Sequence, residues 1–239
     1  MTSLTDTIIK KNREKVVSTS FLITFLFLSL FALLLFSSCE SDVYETGDGE
    51  YSYLRADFGE VYTAGATQVI KCVTDEGEQF SFTPQQIAKW ASRGDTLYRA
   101  LVYHHRVEQG TTSVYALAQI PVLTLLQSER PDTFRTDPLT LESAWVSTNG
   151  KYLNIGYAVK TGASDGIDAR QILGVFYETK PTGADDEVLR LRLTHAQNGV
   201  PEYYTARGFM SIPLQRLSAH KVSLNVHTYG GDVTRYFEW

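Results

Sequence analysis

Two hydrophobic patterns divide the chain. Residues 21–36 are apolar and uncharged, interrupted only by Thr24 and Ser29. Beyond residue 50 the apolar positions tend to recur every second residue, the repeat of a strand with one dry and one wet face. Val222, Leu224 and Val226 alternate with Ser223, Asn225 and His227. Leu189, Leu191 and Leu193 alternate with Arg190, Arg192 and Thr194. Fourteen Tyr and twelve Phe, with many Val and Thr, supply the side chains that strands favour.

The first β-rich half predicts strands at 53–62, 67–73, 79–82, 96–106 and 113–125. Asp75-Glu76-Gly77-Glu78 reads as the hairpin turn between the second and third. One short helix is expected after the third strand. Thr83 would cap it, Pro84 would open it, Ile87, Trp90 and Ala91 would share a face, and Gly94 would stop it. Three strands, a helix and two strands is the order of a five-stranded OB-like barrel. The second half predicts strands at 141–148, 152–160, 171–178, 188–196, 206–214, 221–229 and 233–239, with turns at Asn149-Gly150, Asn198-Gly199 and Gly230-Gly231. That spacing suits an antiparallel β-sandwich. Between the halves, Gln127 to Pro138 carries two prolines, three acids and two arginines and reads as a linker. The expected plan is a leader at 1–38, an acidic tether at 39–50, a barrel at 51–127, a linker at 128–138 and a sandwich at 139–239.

The apolar run near the N-terminus is a secretory leader in form. Lys10, Lys11, Arg13 and Lys15 precede it, and Ser37-Ser38-Cys39 follow it. Positive flank, apolar core and small residues before a cut site define such a signal. As a helix the 16 residues reach ~24 Å, short of a ~30 Å hydrocarbon core. Cys39 therefore reads as a bacterial lipoprotein cysteine, cut at its N-terminal side and carrying lipid. Phe36 stands where such signals usually carry Leu or a smaller aliphatic, so an uncleaved anchor is the alternative; a buried structural Cys is a third reading. Glu40, Asp42, Glu45 and Asp48 then resemble a surface-export signal of Gram-negative gut anaerobes, or serve as a solvated tether. The expected place is the cell envelope, lipid-anchored in the outer membrane, periplasmic or surface-exposed.

Charge narrows the partners. The whole chain is −5; the leader holds four basic and two acidic residues, so its removal leaves −7. Residues 50–127 hold six basic and eight acidic residues, and no basic stripe runs through them. Nucleic acid is not an expected partner, because phosphate contact needs a basic surface. Past Cys39 only Cys72 remains, in an apolar-rich stretch, and reads as a small buried hydrophobe.

No phosphate loop, dinucleotide fingerprint, HExxH or GxSxG elbow is present. No catalytic, cofactor-binding or metal-ligating residue is assigned, and no cofactor is expected. His104 and His105 are adjacent in a strand and face opposite ways. His195 extends the dry face of Leu189, Leu191 and Leu193 and reads as a hydrogen-bonded core histidine. His227 shares the wet face with Ser223 and Asn225, a row more often solvated than ligand-binding. Asp185-Asp186-Glu187 offers three carboxylates, too few alone for Ca²⁺. Tyr203, Tyr204 and the end Tyr236-Phe237-Glu238-Trp239 read as ordinary strand residues, or, exposed, as a sugar- or protein-binding surface.

Leu141-Glu142-Ser143-Ala144-Trp145-Val146, then Lys151-Tyr152-Leu153-Asn154-Ile155, then Leu189-Arg190-Leu191-Arg192-Leu193-Thr194-His195, resemble the NigD-like lipoprotein family. The resemblance spans essentially the whole mature chain and is stronger in its second half. It implies an OB-like domain followed by a β-sandwich. It brings no catalytic residues, since the family has none accepted. The expected function is a non-catalytic envelope lipoprotein, membrane-bound through lipid on Cys39, with a protein or glycan partner. An envelope hydrolase with an unrecognised site and a bacteriocin-associated immunity protein are the alternatives.

Lipidation gives a direct expectation. Cys39→Ala abolishes palmitate labelling and moves the protein out of the membrane fraction. A Cys39→Ala protein that stays membrane-bound makes the apolar run an uncleaved anchor.

Overall fold

Alternating sequence builds alternating faces throughout the computed structural model, which describes residues 53–128, 136–163, 169–178, 188–215, 217 and 220–239. Cys39, the leader, the tether, most of the linker and Asp185-Asp186-Glu187 lie outside the described residues. Strands β1 (Arg55–Gly65), β2 (Gln68–Thr74), β3 (Gln79–Ile87), β4 (Thr96–His104), β5 (Thr111–Thr112) and β6 (Val114–Gln119) form one sheet in the order β5-β3-β2-β1-β4-β6. The strand expected at 113–125 is shorter: it is β6, antiparallel to β4, and it ends at Gln119. Just before it, β5 runs parallel to β3. One stretch of chain thus supplies both edge strands and curves the sheet into an OB-like half-barrel.

The expected helix is absent: among the described residues there are only strands, bridges, turns and bends. Residues through Ile87 stay in β3, with Val69 paired to Gln86 and Gln68 to Ile87. Pro84 falls within the irregular part of that ladder, where a missing N–H is tolerated. The next residues bond across the barrel rather than along a helix. Ala88 N–H donates to Thr67 O, and Thr67 N–H donates to Ala91 O. Ile87 is 69% exposed while Ala91 is fully buried, so the helical face does not form. Ala88, Ala91 and Trp90 pack on the barrel core as a loop, in the place the helix would fill.

The barrel core gathers Val61, Val69, Cys72, Phe80, Phe82, Ala100 and Val102. Cys72 is buried as expected. A Cβ on Gly59 would lie 2.6 Å from its Sγ and 2.7 Å from Val73 O, so only glycine lets β1 approach β2 there. His104 is fully buried, its Nε2 2.8 Å from Asp57 Oδ2 and its Nδ1 2.6 Å from His105 O.

The second half is a two-sheet sandwich. β8 (Thr140–Val146), β9 (Tyr152–Thr161) and β12 (Tyr204–Pro213) form an antiparallel sheet in the order β12-β9-β8. β7 (Leu125–Ser128), β10 (Ile172–Glu178), β11 (Val188–Ala196), β13 (Lys221–Thr228) and β14 (Gly231–Glu238) form the other, in the order β14-β13-β11-β10-β7. Two of its pairs are parallel: β11 with β13, and β10 with β7. The reason is sheet switching. The chain leaves β11, crosses the other sheet as β12, and returns beside β11 in the same direction. Leu125 to Gln127, read from sequence as the end of the first half, pair with Val175 to Tyr177. Leu153, Ile155, Leu191, Leu193, Met210, Ile212, Val222, Leu224 and Val226 fill the space between the sheets.

His195 closes one end of this core. It is 1% exposed, with Nδ1 3.2 Å from Asp137 O and Nε2 3.2 Å from Gln171 Oε1. At the sheet edge, Val233, Arg235 and Phe237 of β14 pair with Val226, Leu224 and Val222, so Arg235 stands on the core-facing side.

Cys72 makes the barrel alkali-sensitive. Burial, then the Asp57 charge, push its thiol from 9.0 up to about 12, with Arg99 opposing. The folded state prefers the thiol, so this contribution is complete below pH 9 and is lost as pH rises toward 12. Cys72→Ala lowers stability at pH 7 by about 1 kcal/mol through the small cavity, yet loses less than the parent protein between pH 9 and 11. Urea unfolding across that range checks it; parallel losses in both proteins contradict it.

Candidate functional site

Arg99 sits where the barrel meets the sandwich, and its guanidinium bonds to Asp75, Asn154 and Ser211. It lies on β4 in Leu97-Tyr98-Arg99-Ala100-Leu101, and its side chain is fully buried. Alternation sends Ala100 and Val102 into the barrel, so Arg99 points out of it, toward the three-stranded sheet. Nη1 and Nη2 each donate to a different carboxylate oxygen of Asp75, both at 2.5 Å. Nη2 also donates to Asn154 Oδ1 at 3.1 Å, and Nε reaches Ser211 Oγ at 3.4 Å. Ser211 Oγ donates to Asn154 Oδ1 at 2.8 Å. The guanidinium stacks 4.3 Å from the Tyr152 ring centre. Four of the five guanidinium N–H groups thus have acceptors, and a fork-to-fork pair so supported is the geometry in which a buried charge is tolerated.

Around it, Phe58 of β1 meets Trp145 and Phe209 edge-on, with centroids 5.2 and 5.1 Å apart. Tyr152 Oη donates to Glu60 Oε1, and Lys151 Nζ donates to Glu60 Oε2, both at 2.8 Å. Burial pulls the Glu60 carboxyl upward, but the hydrogen bonds from Lys151 and Tyr152 and the charges of Lys151 and Arg99 outweigh it, leaving it below its usual range. Burial first, then the Glu60 hydrogen bond and charge, push the Tyr152 phenol up to about 12, against Arg99. Tyr152 is thus a neutral donor at physiological pH.

Tyr152 also lines a groove of about 600 Å³ at this end of the sandwich, with Leu123, Thr124, Leu125, Tyr177, Leu189, Pro213 and Gln215 among its walls. That size suits a small organic ligand or a short segment of a larger one. Its wall is mixed, with Leu and Pro side chains alternating with hydroxyls and an amide from Thr124, Tyr152, Tyr177 and Gln215. Tyr177 Oη donates to Gln127 Oε1 at 3.2 Å. A smaller cavity of about 150 Å³ is lined by Asp57, Phe58, Asp75, Glu76, Trp145 and Ser147. Its acids are already engaged in part: Asp75 holds Arg99, and Asp57 contacts Arg55 and His104. Among the described residues no group of three or more His, Cys, Asp or Glu is arranged to hold a metal.

The residues singled out from sequence are scattered. His195 is in the sandwich core, and His104 is in the barrel. His227 Nδ1 lies 2.7 Å from Asp232 Oδ1 on the sandwich surface. Ser223 is nearly buried, and Asn225 Nδ2 donates to Thr234 Oγ1. Tyr203, Tyr204 and Tyr236 are exposed, while Trp239 packs on the core. Sequence reasoning missed Arg99, Asp75 and Ser211. One signal existed: Arg99 shares strand parity with Leu97, Leu101 and Tyr103, a lone charge in a mostly apolar row.

The arrangement defines a two-part β protein, an OB-like half-barrel packed on a sandwich. Residues 121–238 match the family model for the NigD-like C-terminal beta sandwich domain. The second half of the chain is a NigD-like C-terminal domain, and the resemblance read from Trp145, Tyr152-Leu153-Asn154 and the Leu189 strand is borne out. Those motifs acquire physical meaning, since Trp145 packs on Phe58 while Tyr152 and Asn154 grip Arg99. No curated protein sequence matches the chain significantly. A NigD-like immunity protein from Bacteroides caccae aligns with 77% of this chain and 96% of its own, at 17% identity and TM-score 0.59. A protein from Bacteroides vulgatus, of unknown function, aligns over 77% and 91% at 16% identity and TM-score 0.57. One from Bacteroides fragilis, provisionally described as a lipoprotein, aligns over 77% and 97% at 10% identity and TM-score 0.53. At these identities the likeness is one of fold.

Removing one partner of a buried ion pair costs about 3–5 kcal/mol. Arg99→Met therefore lowers the stability of the full-length protein by that much. Arg99→Met with Asp75→Leu recovers part of the loss, because no charge is left stranded. Urea unfolding at pH 7 reads both. An unchanged midpoint in Arg99→Met removes the junction from its stabilising role.

Proposed function

We propose that the protein is a non-catalytic lipoprotein of the cell envelope, anchored through Cys39, whose β domains hold a partner. The groove of about 600 Å³ carries this reading. Its floor includes Tyr152, which the Arg99 and Glu60 network fixes in place, so the site is formed before any ligand arrives. A preformed groove of mixed polarity, with no cluster of acid, base and nucleophile among its walls, suits binding better than turnover. The NigD-like family is not a known enzyme family, which supports the same reading. The acidic charge of the chain and the barrel face turned toward the sandwich both weigh against nucleic acid. The provisional lipoprotein description of the Bacteroides fragilis relative supports the envelope placement.

A second reading, bacteriocin immunity, is supported by the name of the Bacteroides caccae protein. One experiment serves both. Full-length protein and its Thr124→Trp variant, which fills the groove, are presented to envelope extracts, to a glycan array and to bacteriocin preparations. The expected result is a partner retained by the parent protein and reduced at least tenfold by Thr124→Trp, with the melting temperature unchanged. A partner that proves to be a toxin polypeptide favours immunity. Equal retention by both proteins, or no partner from any source, ends the groove reading.

A further inference from the structure

Two Asn-Gly pairs occur in the chain, Asn149-Gly150 and Asn198-Gly199, and the fold treats them differently. Such a pair can react with itself. The glycine backbone nitrogen attacks the asparagine carboxamide carbon, and glycine leaves the approach open because it has no Cβ. Hydrogen bonds protect Asn149-Gly150 from this reaction. Gly150 N–H, the attacking group, closes its own turn by donating to Ser147 O at 2.8 Å. Asn149 Oδ1 accepts from Ser147 Oγ at 2.8 Å and from Lys151 N–H at 3.0 Å, so the carboxamide is pinned by its oxygen.

Asn198-Gly199 lies in the connection between β11 and β12, and both residues are exposed. Their φ angles are 51° and 75°, and Val200 N–H donates to Gln197 O at 3.0 Å. These are the features of a type I′ turn. The closing donor is therefore Val200, one residue beyond the glycine. Gly199 N–H has no acceptor among the described residues, and Asn198 Oδ1 accepts nothing from them. One contact holds the carboxamide, Nδ2 donating to Arg170 O at 2.9 Å. A left-handed φ is uncommon away from glycine, so leaving it costs residue 198 little. Gln197 N–H donates to Asp137 Oδ2 at 2.7 Å and Val200 is buried, so the opening is confined to the tip of the turn.

We propose that Asn198 is a self-modification site, converted to aspartate and isoaspartate with water as the only co-reactant. Gly199 N loses its proton to hydroxide and bonds to Asn198 Cγ. The Cγ–Nδ2 bond breaks, and the amide leaves as ammonia with a proton taken from water. Water then opens the cyclic imide at either carbonyl, giving aspartate or isoaspartate. No oxidant or reductant takes part. The product carries one more negative charge and has lost the Nδ2 donor. A carboxylate then faces Arg170 O, the bond between them is gone, and the turn is released from the residues that lead into β10.

Peptide mass spectrometry of the full-length protein, aged in detergent at pH 8 in heavy-oxygen water, tests the site. Asn198 is converted, each event takes up one heavy oxygen, and isoaspartate is among the products. Asn149 in the same sample is converted at least fivefold more slowly. In urea the two asparagines react within about twofold of each other, because the bonds that protect Asn149 are gone. Gly199→Ala slows conversion of Asn198 at least tenfold, since a side chain then crowds the attacking nitrogen. A Cβ at 199 meets nothing within 4 Å, so this variant displaces no neighbour. An unmodified Asn198, or an Asn149 that reacts as fast in the folded protein, overturns the proposal. So does a Gly199→Ala variant that reacts at the parent rate. A fivefold difference that persists in urea overturns it too, because the selectivity would then lie in the neighbouring residues and not in the turns.

Discussion

The junction between the halves depends on satisfying one buried guanidinium. Arg99 belongs to the barrel by sequence, yet Asn154, Ser211 and the Tyr152 ring meet it from the sandwich. An unpaired charge in that position would be very costly. The barrel supplies the neutralising Asp75, and the sandwich supplies the remaining acceptors and the aromatic cover. Separating the halves would expose Phe58, Trp145 and Phe209 and strip the guanidinium of those contacts together. The chain between the halves adds to the restraint, because Leu123 N–H donates to Ser211 O and Ser211 N–H donates to Pro121 O.

This arrangement also settles how the barrel surface is used. The side of β1 and β4 that carries Phe58, Glu60, Arg99 and Leu101 is turned toward the sandwich. A barrel of this kind often recognises ligands through one sheet face. Here part of the outer surface is spent on internal docking, and the groove forms at the sandwich beside it. The groove lies at the Tyr152 end of β9, a strand whose central residues are buried.

Legibility in the sequence follows the range of the interactions involved. The dry row Val222, Leu224, Val226 was readable because strand alternation is a property of neighbours. His195 was readable for the same reason, as the next member of the row Leu189, Leu191, Leu193. The helix at residues 83–94 was not. Thr83, Pro84 and Gly94 carry local helix signals, but their neighbours' backbone groups are taken by Thr67 and Val69, and long-range pairing overrides local preference. Sheet switching was also invisible, since alternation specifies a face but not a neighbour. The Arg99 cluster lies furthest from sequence logic: its partners are 24, 55 and 112 residues away along the chain. Only the charge among leucines in Leu97-Tyr98-Arg99-Ala100-Leu101 hinted at it.

The outermost strand of the larger sheet carries a different kind of information. Among the described strands β14 has a neighbour on one side only, and its other side offers backbone donors and acceptors to a passing strand. Arg235 stands on its core-facing side, where a hydrophobic residue would extend the inner surface. A foreign strand added there would have to shelter that cation against its own apolar row. The cost falls on the intruder and not on the folded chain, whose Arg235 remains exposed. A charge on the inner row of an edge strand is thus a barrier to strand addition written into the chain itself.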